Sequence, residues 1–482
     1  MSWQVRTLPD RYADSVRLMG IARALRDGDG VTAAEVVMGT PANLEALAAL
    51  GASVDGAGPG DVVIAVDGED GAGEAALAQV ERLLATGSAP AAGDAGPAPP
   101  RTLSAATARL AGANVALVSV PGEYATLEAH RALTRGLHVF LFSDHVAIED
   151  EVALKRRGAE HGLLVMGPEC GTAMLGGAGL GFANVVRRGP VGIVAAAGTG
   201  AQEVACLLHA AGSGVSHIVG VGGRDLSETV GAVMFRQGME LLASDPQTET
   251  LLLVAKEPEE ATVRELARAL PAGVRCVATF MGMDDGVDGL EVHPTLEAGA
   301  LAAAGATAPD ETELERAVDA GRDRAAGRRV LGLYSGGSLA HEAALVLGAQ
   351  LGAIEEELEA VAGDGHVVLD LGTDRFTQGR PHPMVDFTIR RDLLEEAAQD
   401  GRTGCVLLDV VCGYGAHGDP AGELTAAIAE AARQALVVVR VCGTDEDPQD
   451  ARRQAAALRE AGALVAPSNA AAARMAARAV GG

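Results

Sequence analysis

Gly192-Ile193-Val194-Ala195-Ala196-Ala197-Gly198-Thr199-Gly200-Ala201-Gln202-Glu203 decides the fold. A short apolar run, too short for a helix of its own, passes through a glycine-bearing turn into a helix expected over Gln202–Ala211. A turn of Gly198, Thr199 and Gly200 in that place leaves backbone N–H groups at the positive end of the helix dipole, which suits a phosphate or a carboxylate. A plain tight strand-to-helix turn is the alternative. No Lys-Ser or Lys-Thr follows, so this is not a Walker loop, and the G-x-G-x-x-G spacing is missing too. Tyr334-Ser335-Gly336-Gly337-Ser338-Leu339 stands in the same context, between a strand at Val330–Tyr334 and a helix at Ala340–Leu347, and its hydroxyls add donors.

Outward from these two corners the pattern repeats. Strands at His217–Val221, Thr250–Ala255 and Arg275–Phe280 alternate with helices at Ala232–Ser244 and Glu260–Ala269. Strands at Val367–Asp370, Cys405–Val411, Ala435–Val441 and Ala463–Ala466 follow the second corner, which makes the last third an architectural duplicate of the middle. Apolar strands with helices between them predict parallel sheets covered on both faces. The expected class is multi-domain α/β. Its spans are a small N-terminal α/β module at 1–87, a Pro/Gly/Ala linker at 88–103, and α/β domains at 104–180, 181–325 and 326–482. A charged helix at Asp310–Arg328 is expected to bridge the last two.

The net charge of -27 argues against nucleic acid and anionic membrane surfaces as partners, while local N–H groups and arginines still admit small anions. No apolar run is long enough for a membrane span and the first residues lack a signal core, so a cytoplasmic protein is expected. Cys170, Cys206, Cys276, Cys405, Cys412 and Cys442 form no CxxC pair and no zinc spacing; reduced, buried thiols and no metal site are expected.

Other stretches carry candidate chemistry. Gly220-Val221-Gly222-Gly223-Arg224-Asp225 ends a strand, where open α/β sheets bind ligands, so Arg224 is a candidate anion clamp or a surface partner of Asp225. The polar stretch from Asp370 through Gly379-Arg380-Pro381-His382-Pro383 offers Arg380 as a bidentate carboxylate binder. In Gly413-Tyr414-Gly415-Ala416-His417, His417 is a candidate general base or phosphate ligand, or a structural loop histidine.

Val165-Met166-Gly167-Pro168-Glu169-Cys170-Gly171, the corner Gly192–Glu203, Gly220–Gly223 and Ser244-Asp245-Pro246-Gln247-Thr248-Glu249-Thr250 occur in the order of the α subunit of succinyl-CoA synthetase, which they resemble. Val367 through Val441 resembles the ligase domain that ends that enzyme's β subunit. A fusion of the two, with this N-terminal module and the Gly-Arg-Pro-His-Pro and Gly-Tyr-Gly-Ala-His stretches, is similar to the FdrA family. The resemblance implies a Rossmann-like, CoA-binding-like domain at 104–180 and two flavodoxin-like, ligase-CoA-like domains after it. It adds Glu169, Cys170 and Gly171 to the ligand-binding candidates Gly198–Gly200, Gly222, Gly223 and Ser335–Ser338. It also sets Glu203 on the glutamate that contacts the synthetase's phosphohistidine. The histidine-bearing glycine loop has no counterpart here; after Phe280 the chain reads MGMDDGVDGLEVHPTLEAGA, with His293 nearby. The ATP-grasp half is absent as well. The resemblance therefore implies one subunit of an oxamate carbamoyltransferase-like complex, taking carbamoyl phosphate and an oxamate-like acceptor in purine (allantoin) catabolism, with no cofactor. Glu203, Arg380 and His417 would stand near the transferring group, the last two by inference from their loops. An acid–CoA ligase with its ATP-grasp part on another chain, binding CoA, and a non-catalytic organising subunit are the alternatives. Each implies other subunits in a hetero-oligomer, or copies of this chain.

Overall fold

The computed structural model describes residues 3–481 except 10, 12, 14, 27, 29, 55, 69–71, 87–99, 284–285 and 378–380. Most of the linker read at 88–103 lies outside the described residues, and so does Arg380. The chain divides into two compact units, one of residues before Thr102 together with Asp374–Pro381, the other of Thr102–Thr373 and His382–Gly482.

The first unit carries β1 (Gln4–Leu8), α1 (Ser15–Arg26), β2 (Val31–Met38), α2 (Pro41–Ala49), β3 (Val62–Gly68) and α3 (Ala72–Thr86). Its sheet, ordered β1-β3-β2, is antiparallel throughout, unlike the mainly parallel sheets of the rest of the chain. The central strand alternates: Val62, Ile64 and Val66 meet Leu18, Leu25 and Val80, while Val63 and Ala65 meet Leu47.

The second unit holds three sheets. After α4 (Leu103–Arg109), β4 (Val115–Val118), α5 (Gly122–Thr134), β5 (His138–Leu141), α6 (Ile148–Glu160) and β6 (Val165–Met166) form a small parallel sheet. An antiparallel hairpin follows, β7 (Thr172–Leu175) and β8 (Ala178–Gly181), which the sequence reading missed because its turn glycines interrupt two four-residue strands. The middle sheet is built from β9 (Arg188–Ala195), α7 (Gly198–Ala210), β10 (Val215–Gly220), α8 (Val233–Ser244), β11 (Thr250–Ala255), α9 (Glu260–Arg268), β12 (Arg275–Phe280), β13 (Glu291–His293) and α10 (Leu296–Ala304). The bridging helix is shorter than expected: α11 covers Thr312–Gly321 and gives way to a 3-10 turn. The last sheet comprises β14 (Arg329–Tyr334), α12 (Gly337–Leu351), β15 (Ile354–Glu355), β16 (His366–Asp370), then α13 (Asp374–Thr377) in the first unit, α14 (Thr388–Gln399), β17 (Thr403–Val411), α15 (Pro420–Ala431), β18 (Leu436–Cys442), α16 (Ala451–Glu460), β19 (Leu464–Ala466) and α17 (Asn469–Val480).

The two large sheets share one plan. The middle one runs β10-β9-β11-β12-β13 with the hairpin added beyond β10, and the last one runs β16-β14-β17-β18-β19 with β15 at its edge. Counted from the first strand of each, both orders are 2-1-3-4-5, the flavodoxin-like arrangement in which ligands sit where the winding reverses, beyond strands 1 and 3. Both sheets close with a strand, a proline and a capped helix: Thr295 accepts the Ala298 N–H at 3.1 Å, and Ser468 accepts the Ala471 N–H at 2.9 Å. Helices α7, α10, α12 and α17 pack into a shared core between these sheets. Small side chains at Ala201, Ala205, Ala340, Ala343 and along α17 let their backbones approach closely.

Candidate active site at two facing corners

The two glycine corners meet. Each lies at a switch point, between β9 and α7 beside β11, and between β14 and α12 beside β17. The Ser338 N–H, in the first turn of α12, donates to Thr199 Oγ1, in the first turn of α7, at 3.2 Å. A Cβ on Gly336 would come within 3.0 Å of the Thr199 side chain, so glycine there permits the contact. The first turns of α7 and α12 are therefore in direct contact, each with the partial positive charge of a helix N-terminus.

The corners differ in how their donors are used. Among the described residues no protein acceptor takes the N–H groups of Gly198, Thr199 or Gly200. Thr172 Oγ1 lies 3.5 Å from where a Gly198 Cβ would stand, an ordinary contact that admits a Cβ. At the second corner the Ser335 and Gly336 N–H groups both donate to the Asp409 carboxylate at 2.8 Å, and the Ser335 hydroxyl donates to it at 3.0 Å. Asp370 stands beside α12, with Oδ2 2.4 Å from the place a Gly337 Cβ would take. Burial raises its carboxyl above the ordinary range, against the opposing Gly372 N–H and Lys256.

Glu203 lies on α7, five residues past Gly198, and Glu342 on α12, five residues past Gly337; both are buried. The Glu203 carboxylate pairs with Arg440 on β18 at 2.9 Å and accepts the Asn469 N–H at 3.1 Å, at the start of α17. Glu342 accepts the Leu296 N–H at 2.6 Å, at the start of α10, and the Asn469 side-chain amide at 2.8 Å. Each glutamate thus caps the closing helix of the other sheet. Glu203 has an arginine and Glu342 has none. Burial raises the Glu342 pKa to about 7, opposed by the Asn469 bond and reinforced by Glu203.

The remaining candidates are placed as follows. Gly222 and Gly223 run beside the 167–171 loop and the first corner: a Gly222 Cβ would strike the Pro168 carbonyl at 2.3 Å, and a Gly223 Cβ would lie 3.8 Å from the Ala196 carbonyl. Glu169 has a left-handed φ of 56°. Gly171 accepts the Phe182 N–H at 2.8 Å through its carbonyl. Cys170 is buried, and burial pushes its thiol up to about 12, so it is no nucleophile. Arg224 pairs with Glu151 at 2.8 Å rather than with Asp225, which pairs with the buried Lys155 at 2.8 Å. The chain reading could not see this because α6 supplies both partners from another sheet. The His417 ring accepts the Asp419 N–H at 3.1 Å and packs edge-on against Phe387 at 5.7 Å, while its backbone N–H bonds the Met384 carbonyl; none of these partners belongs to a corner. His293 bonds Glu291 at 3.1 Å, itself paired with Arg275 at the start of β12.

Sequence reasoning passed over Asp409, Glu342 and Lys256. Asp409 interrupts the apolar strand β17, and Glu342 holds the same offset from its glycine as Glu203 does, so both were readable. Lys256 is one of only two lysines in the chain, two residues past Val254, which pairs with Ala195 beside the first corner. Lys155 being spent on buried ion pairs, Lys256 is the lysine at the switch point.

Residues 333–479 match the CoA-ligase family, and residues 1–99 match the heavy metal-associated domain of AllF. Residues 1–99 contain neither cysteine nor histidine, so thiolate and imidazole donors for a transition metal are missing there. Among the described residues no cluster of His, Cys, Asp or Glu could hold a metal ion, and no helix is long and apolar enough to cross a membrane. The uncharacterized protein YahF of Escherichia coli (strain K12) is 36% identical over 501 residues, spanning 97% of each chain. The mitochondrial succinate–CoA ligase (ADP-forming) subunit alpha-2 of Trichomonas vaginalis is 30% identical over 30% of this chain and 47% of that one. The ADP-forming sulfoacetate–CoA ligase subunit SauD of Bilophila wadsworthia is 26% identical over 35% and 59%. The chain spans about half the length of these ligase subunits. With identity to YahF along nearly its whole length and ligase likeness within it, the chain belongs to the YahF family and is a succinyl-CoA-synthetase-like fusion.

Proposed function

We propose that the chain is the CoA-ligase-type subunit of a hetero-oligomeric acid–CoA ligase, holding the phosphate of an acyl phosphate where α7 meets α12. An ATP-grasp partner on another chain would supply the activated phosphate, and CoA would be the acceptor. The observation that carries this reading is the Thr199–Ser338 contact, which sets two helix N-termini against one another with the Gly198–Gly200 amides open. Such donors bind a phosphate and stabilise it as it departs from the acyl carbon. Lys256 adds a positive charge on the same side of the sheet. Calorimetry of the purified chain with inorganic phosphate and with acetyl phosphate tests the reading. Binding of both, lost in Gly198→Asp, is expected; binding of neither ends it.

A second reading is carbamoyl transfer from carbamoyl phosphate to an oxamate-like acceptor, which needs no phosphohistidine. The glycine loop that carries the synthetase's phosphohistidine has no counterpart after Phe280, which supports acyl-phosphate chemistry with no phosphohistidine. Phosphate release from carbamoyl phosphate that depends on oxamate and not on CoA, measured on the assembled complex, would select it.

A further inference from the structure

We propose that the second corner is an oxyanion cradle permanently filled by the protein's own Asp409, an internal ligand that the first corner, with Val254 in that place, does not have. The inference rests on reading the two corners as oxyanion sites. Four donors converge on this one carboxylate: the Ser335 N–H at 2.8 Å, the Ser335 hydroxyl at 3.0 Å, the Gly336 N–H at 2.8 Å and the Arg390 guanidinium at 3.0 Å. That is the donor set of a phosphate or carboxylate site, with an internal ligand seated in it. Arg390 comes from α14 and is fully buried. Its Nη2 also reaches the Leu333 and Asp409 carbonyls, whereas Nε and Nη1 have no hydrogen-bond partner among the described residues. Its remaining contact is the Phe387 ring, 5.5 Å from the guanidinium carbon. The Tyr334 hydroxyl, on the residue before Ser335, is likewise buried without a partner.

Duplicate geometry locates the substitution. Strand pairing sets Leu408 beside Leu333 in the last sheet and Leu253 beside Val194 in the middle one, so Asp409 holds the place of Val254. Ser335 and Gly336 then hold the places of Ala196 and Ala197: valine offers no side-chain acceptor, and the Ala196 N–H goes to the Val254 backbone carbonyl at 2.8 Å, whereas the Asp409 side chain takes both Ser335 and Gly336. An incoming phosphate at the second corner would have to displace a carboxylate that neutralises a buried arginine, with Asp370 adjacent. The second corner then acts on the ligand of the first only by presenting the Ser338 end of α12 to Thr199.

Removing the carboxylate leaves a carboxylate-sized hole lined by an uncompensated arginine, and formate is the probe that fits it. Asp409→Ala is expected to unfold at a lower temperature than wild type, and formate to restore roughly half or more of that loss by mass action. Chloride at equal ionic strength restores nothing, and formate leaves wild type and Asp409→Asn, whose side chain still fills the hole, unmoved. Equal formate responses in all three proteins would overturn the proposal. Should the alanine variant not fold, crystals of the wild-type chain soaked in inorganic phosphate decide. Phosphate on Ser335–Gly336 with Asp409 displaced overturns it. Phosphate confined to Gly198–Gly200 supports both readings. Phosphate at neither corner leaves the second closed, as proposed here, and defeats the functional reading of the first.

Discussion

The corner before α7 and the corner before α12 come from the same strand order, the same glycine turn and the same glutamate offset, yet the second holds the Asp409 carboxylate on its Ser335 and Gly336 amides while the first has Val254 in that place and no side-chain acceptor. The difference teaches that duplicated backbones need not give duplicated sites. A helix N-terminus supplies donors, and whichever acceptor reaches them first decides whether they remain available. The same asymmetry recurs one turn deeper, where Glu203 has Arg440 and Glu342 has no cation.

The deepest test removes that arginine. Arg440→Met should leave Glu203 buried without a counter-charge and cost about 3–5 kcal/mol in urea unfolding, with both sheets losing cooperativity together because Glu203 joins them. Unchanged stability would show that the glutamate pair is not what holds the corners face to face. Glu342 makes the comparison sensitive to pH. Its carboxyl is raised from 4.5 to about 7 in the folded chain, so the folded state holds a proton that the unfolded chain releases. Its stabilising contribution is therefore full below about pH 4.5 and falls by about 3 kcal/mol as pH rises to about 7. Glu342→Gln should flatten that part of the stability profile, read by thermal unfolding between pH 4.5 and 7.5; a profile that keeps its slope would place the titration elsewhere.

Smaller effects separate the corners directly. Gly198→Asp fits the available space and puts a carboxylate on the open amides, making the first corner resemble the second. Phosphate affinity should fall at least tenfold, about 1.4 kcal/mol, in calorimetry. Thr199→Val removes the acceptor of the Ser338 N–H and should cost about 1 kcal/mol of stability, with weaker phosphate binding, since the contact joins the two helices. His417→Ala should leave phosphate affinity within error; a large loss would mean that its loop reaches the corners in solution.

Much of this was legible in the chain. Both glycine corners, the α/β alternation and the duplication of the last third follow from local pattern, because apolar runs, helix periodicity and glycine turns express themselves over a few residues. Three kinds of feature were not. The β7–β8 hairpin is too short and glycine-interrupted to read as strands. Arg224 looks like a partner of its neighbour Asp225 until α6 brings Glu151 to it. Nothing near Glu203 in the chain shows that β18 brings Arg440 to it.

The sequence by itself determined that this protein has two glycine-bearing strand-to-helix corners in a strongly acidic α/β chain. Only the tertiary structure decided that the corners face one another and that one is already occupied. The reason is reach along the chain: Asp409 stands 74 residues from Ser335, and Ser338 stands 139 from Thr199. Such a donor and acceptor share no local pattern and meet only once the sheets have folded and packed.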